Sequence, residues 1–84
     1  MLIGVTHTVK DPEKFFPLAK ETVDNLPAGL TVHQVLPAAD GTRAHCLWEA
    51  PSVDDVRNLI DPATVGISVN EYFAVNADEA VGLP

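Results

Sequence analysis

Leu30-Thr31-Val32-His33-Gln34-Val35-Leu36, then Pro37-Ala38-Ala39-Asp40-Gly41, then Thr42-Arg43-Ala44-His45-Cys46-Leu47-Trp48-Glu49-Ala50, reads as two β-branched and aromatic runs around a Pro/Asp/Gly turn. Such runs form a β-hairpin, because Asp-Gly supplies the tight reversal and the flanking residues fit a pleated, half-buried surface. Outward on each side the chain repeats one plan. Before the hairpin, Asp11-Pro12 resembles an N-cap followed by proline at the first helical position, and a helix runs from there to about Leu26. Its apolar positions Phe15, Leu18, Ala19, Val23 and Leu26 recur at helical spacing, although Pro17 removes one i→i−4 bond. Before that helix, Leu2–Val9 alternates as a first strand. After the hairpin, Ser52 with Asp55 makes a start like a capping box, and Val53, Val56, Leu59 and Ile60 give a short amphipathic helix. Asp61-Pro62 and Gly66 punctuate, and Ile67–Val75 alternates as a fourth strand.

Two strand–helix–strand halves around a hairpin most simply make an α+β domain of βαββαβ order. This is the ferredoxin-like arrangement, a four-stranded antiparallel sheet with both helices on one face. One domain spans residues 1–84, with the core over about 2–75 and a tail over 76–84 that carries Val81 and Leu83. A chain of 84 residues buries only roughly 60% of its unfolded surface, so a second copy would help it. A homodimer packed sheet on sheet is expected, with Val35, Leu47 and Tyr72 on the open face.

Composition narrows the partners. Hydrophobic residues make up 46% and the net charge is −7, from 12 acidic against 5 scattered basic residues. Nucleic acid and anionic membrane surfaces need clustered cations, so neither is an expected partner. No apolar run is long enough to span a bilayer. Met1-Leu2-Ile3-Gly4-Val5 has no positive leader, so no signal peptide is expected, and the single cysteine, Cys46, fits a reducing, cytoplasmic compartment.

Period-two alternation sorts the polar residues by face. The inward set holds Ile3, Val5, His7 and Val9; Leu30, Val32, Gln34 and Leu36; Ala44, Cys46, Trp48 and Ala50; and Ile67, Val69, Glu71, Phe73 and Val75. Within it His7 and Glu71, on adjacent strands, are expected as a pair: a structural hydrogen bond, or a proton-transfer pair with Glu71 orienting the ring. If attraction exceeds desolvation, the pair raises the histidine's pKa and lowers the glutamate's. Gln34, Cys46 and Trp48, with Tyr72, are the candidate pocket residues. Cys46 reads as a small buried hydrophobe, since no cation is placed to activate it. On the other set His33 and His45 fall on adjacent strands as diagonal neighbours, roughly 7–8 Å apart. That spacing allows a shared divalent metal such as nickel or zinc, although two histidines make a sparse ligand set.

Ala44-His45-Cys46-Leu47-Trp48-Glu49-Ala50-Pro51-Ser52-Val53-Asp54-Asp55-Val56 resembles the strand–Ala-Pro–acidic-helix segment of small ferredoxin-like proteins that include a nickel-binding family. It also resembles the strand–Pro-Ser-Val–helix step of muconolactone isomerases. Both belong to the dimeric α+β-barrel superfamily. The resemblance implies a homodimer with any site in a cavity beside the sheet, and it does not select one chemistry. The expected function is a small homodimeric ligand- or metal-binding protein. The alternative is a cofactor-independent enzyme of isomerase, lyase or monooxygenase type acting on a small aromatic or enolisable acid. A structural or interaction module is the third class.

Overall fold

In the computed structural model, which describes residues 1–84, each helix begins where a side chain can cap it. Asp11 Oδ1 accepts from the Lys14 amide at 3.3 Å ahead of α1 (Pro12–Asp24). Ser52 Oγ accepts from the Asp55 amide at 3.2 Å ahead of α2 (Val53–Ala63). Both caps satisfy amide donors that a helix start leaves open. The strands are β1 (Leu2–Val9), β2 (Thr31–Pro37), β3 (Arg43–Glu49) and β4 (Ser68–Ala74). They form one antiparallel sheet in the order β2-β3-β1-β4. With the two helices this is the α+β, ferredoxin-like βαββαβ arrangement. The Asp40-Gly41 reversal forms as expected: Asp40 Oδ1 accepts from the Thr42 amide and hydroxyl, and Gly41 takes φ +75°. No helix is long and apolar enough to cross a membrane.

The core lies between the sheet and the helices. Ile3, Val5 and Val56 are fully buried, with Trp48 and Ile60 beside them, and Val9, Phe15 and Ala44 make a second cluster. Directly opposed residues of an antiparallel pair share a face. The register therefore assigns every strand residue to one side, and it corrects the expected sorting on two strands.

On β4 the faces are exchanged. His7 lies opposite Asn70, Val5 opposite Tyr72 and Thr6 opposite Glu71. Asn70 and Tyr72 thus face the helices, while Val69, Glu71 and Phe73 face away. Apolar alternation points the other way, and two compensations outweigh it. Helix α2 offers Asp61, and its C-cap Thr64, as hydrogen-bond partners for the inward polar groups, and Gly4 on β1 makes room outside for Phe73. A Cβ built on Gly4 would clash with the Phe73 ring.

On β2 the ladder shifts between Val32, opposite Trp48, and Gln34, opposite Leu47, so His33 is the extra residue of a β-bulge. Beyond it Gln34 faces outward and Val35, opposite Cys46, faces the helices. Gln34 and Leu36 are therefore exposed rather than in the core, and neither Val35 nor Tyr72 lies on the open face.

Candidate functional site

His7 sits in mid-strand on β1, only 4% exposed. Its Nδ1 lies 2.6 Å from Asn70 Oδ1, which also accepts from Ser68 Oγ at 2.8 Å. The Asn70 amide nitrogen donates to Thr64 Oγ1 at 2.8 Å and to Asp61 Oδ1 at 3.0 Å. Tyr72 closes the network by donating its hydroxyl to the same Asp61 oxygen at 2.6 Å, with the Arg57 guanidinium 5.2 Å from the Tyr72 ring centre. Burial holds the His7 pKa below its ordinary 6.5, against the pull of the Asn70 hydrogen bond and the Asp61 charge, and the ring is neutral near neutral pH. The Tyr72 and Asn70 hydrogen bonds hold the Asp61 carboxyl below the usual carboxylate range.

His7 borders a small, mostly apolar cleft between the sheet and the two helices, with an interior of about 40 Å³. Phe15, Cys46 and Trp48 supply its walls, and two of the lining side chains, Val23 and Val35, are 37% and 38% exposed. The His7 and Phe15 rings meet edge to face at 5.1 Å. Burial pushes the Cys46 thiol up to about 11, so no thiolate nucleophile is present near neutral pH. The Trp48 indole N–H is buried without a hydrogen-bond acceptor.

Of the residues expected to form a site, the structure brings His7, Cys46 and Trp48 to one cleft and places Tyr72 in the network behind His7. Glu71 is exposed opposite Thr6, so the His7–Glu71 pair does not form, and the histidine's pKa moves down rather than up. Gln34 is turned away by the bulge. The bulge also separates the other two histidines. His45 lies opposite Leu36, three positions along β2 from His33. His33 Nε2 is 3.1 Å from Glu49 Oε1, while His45 stacks on Phe73 at 6.3 Å and sits 3.4 Å from Thr6 Oγ1. No three His, Cys, Asp or Glu side chains are grouped so as to hold a metal ion.

No family model, curated protein or solved structure matches this chain. Asn70, Asp61 and Thr64 are the residues of the His7 hydrogen-bond network that alternation missed. A signal for one of them was present: asparagine is disfavoured within strands, so Asn70 amid Ser68-Val69 and Glu71-Tyr72 marked a position kept for hydrogen bonding. Asp61 and Thr64 carried no comparable mark, because Asp61-Pro62 reads as a helix stop whether or not its carboxylate has a second task.

Proposed function

We propose that this chain is a small-molecule-binding domain acting as a homodimer, with His7 as its polar recognition group. The observation that carries this is one buried histidine, held at Nδ1 by Asn70, with its other nitrogen unpartnered beside an apolar cleft. Small-molecule sites combine these two features, an apolar enclosure and a few oriented polar groups. A set of small apolar and aromatic compounds titrated into the labelled protein should shift the His7, Val23, Val35 and Trp48 NMR signals together. Shifts scattered over the surface, or absent at millimolar compound, would remove the proposal.

A second reading, the cofactor-independent enzyme, draws support from the same ring. A neutral imidazole with a free nitrogen is a competent general base, and Asn70 takes the orienting place expected of Glu71. Catalysis requires turnover that His7→Gln abolishes, whereas simple binding requires none.

The homodimer rests on the open face of the sheet, where Leu36, Val69 and Phe73 are 56%, 49% and 49% exposed. Leu36 lies on one edge strand of the sheet and Val69 and Phe73 on the other, so a second copy laid sheet on sheet would cover all three. Light scattering at micromolar concentration should report twice the 9.0 kDa chain mass, and a monomer would refute the dimer while leaving the cleft intact.

A further inference from the structure

The orientation of the Asn70 amide dictates which nitrogen of His7 carries the proton. Its NH₂ group faces Asp61, a carboxylate that can only accept, and Thr64, whose own hydroxyl proton is given to the Ile60 carbonyl at 2.9 Å. Its oxygen therefore faces His7 and Ser68. An amide oxygen cannot donate, so His7 Nδ1 carries the hydrogen and Nε2 of the neutral ring is a bare acceptor. Nε2 has no partner within the chain, and unlike the Trp48 nitrogen it is not sealed from solvent.

The other polar groups of the cleft offer no strong donor. Thr22 gives its hydroxyl proton to the Leu18 carbonyl at 2.9 Å, and Thr64 is committed as above. The Trp48 N–H is sealed, and the Cys46 thiol is a weak donor. No lysine or arginine lines the cleft. A carboxylate entering it would lose water without gaining a countercharge, which is costly beside apolar walls. A hydroxyl group would instead find its acceptor in place, and the Phe15 and Trp48 walls suit a flat ring.

Building on the binding proposed above, we infer that the ligand class is neutral and largely apolar with one hydroxyl donor, a phenol or comparable enol, giving its O–H to His7 Nε2. Carboxylates are excluded. The test uses the unmodified full chain and three matched probes, 4-propylphenol, 4-propylanisole and 4-propylbenzoate, near neutral pH. Binding is followed by fluorescence of the sole tryptophan, Trp48, and by ¹⁵N NMR of the His7 ring. In the free protein Nδ1 should be protonated and Nε2 bare. The phenol should bind about tenfold more tightly than the ether, the equivalent of one net hydrogen bond, and should alone move the Nε2 resonance. The benzoate should bind more weakly than either. Equal binding of phenol and ether, tightest binding of the benzoate, or a proton found on Nε2 would overturn the inference while leaving the cleft a binding site. Binding of none of the three would overturn the binding proposal itself and this inference with it.

Discussion

Asn70 spends both atoms of its amide twice, the oxygen on His7 and Ser68 and the nitrogen on Thr64 and Asp61. Asn70→Ala leaves His7 and Ser68 with buried donors facing no acceptor, a loss of about 1–3 kcal/mol. Because the lost bond is one that raises the His7 pKa, the same variant should move the His7 titration midpoint further below 6.5, measured by NMR of the ring protons. An unmoved midpoint would mean that the bond does not form in solution. Tyr72 gives a separate handle because it is the only tyrosine. Burial first, and then the hydrogen bond to Asp61, raise its pKa above the ordinary 10. Absorbance titration of the phenol should therefore find a raised midpoint that Asp61→Asn brings down toward 10.

At the scale of elements, β4 and β1 are fitted together by a glycine. Phe73 lies across Gly4 and stacks on His45, which is how an outward aromatic on β4 is accommodated against the sheet. Gly4→Ala should lift the ring, because the added methyl occupies its place, and the ring-current shift on His45 should vanish. The ring end is free to move, so the loss of stability should fall below the roughly 1–3 kcal/mol of core overpacking. In a Phe73→Ala background the same change should cost nothing, a coupling that a double-mutant cycle reads directly. The limits of what the sequence discloses show at these two strands. The order of elements, the helix caps and the inward faces of β1 and β3 were legible, because Ile3-Val5-His7-Val9 and Ala44-Cys46-Trp48-Ala50 alternate without interruption. The faces of β2 and β4 were not. A bulge leaves no mark on alternation when the inserted residue is an ordinary histidine. The inward choice on β4, for its part, depends on polar partners from another element. The candidate site was legible at His7, Cys46 and Trp48, and hidden at the network that orients His7 for the same reason.

For the whole molecule, stability should follow the two classes of group whose pKa values folding lowers. His7 binds a proton more readily in the unfolded chain, where its pKa is near 6.5, than in the folded one. Its contribution is therefore complete above 6.5 and is lost as pH falls through the lower folded value. Asp61, held low by Tyr72 and Asn70, contributes above 3.8 and loses that contribution as pH falls through its own lower folded value. Besides Asp61, the charged group felt by His7 is His45, which lowers its pKa as well. Urea midpoints taken from neutral pH downward should thus decline in two stages, and the first should be missing in His7→Gln. A single decline confined to the carboxylate range would show that His7 is not desolvated.

The extra residue in β2 makes chain length a variable that this sheet tolerates. If His33 were removed, Gln34 would follow directly on Val32 in a regular ladder, with Val32 still against Trp48, Gln34 still against Leu47 and Val35 still against Cys46. No side chain would change sides. Removing Gln34 would do the same, with His33 taking the outward place against Leu47, whereas removing Val35 would draw Gln34 inward against Cys46 or turn the strand beyond it over. Positions 33 and 34 are thus a natural seam, where a deletion is milder than in the regular ladder on either side and where a shorter version of this protein would differ from it first.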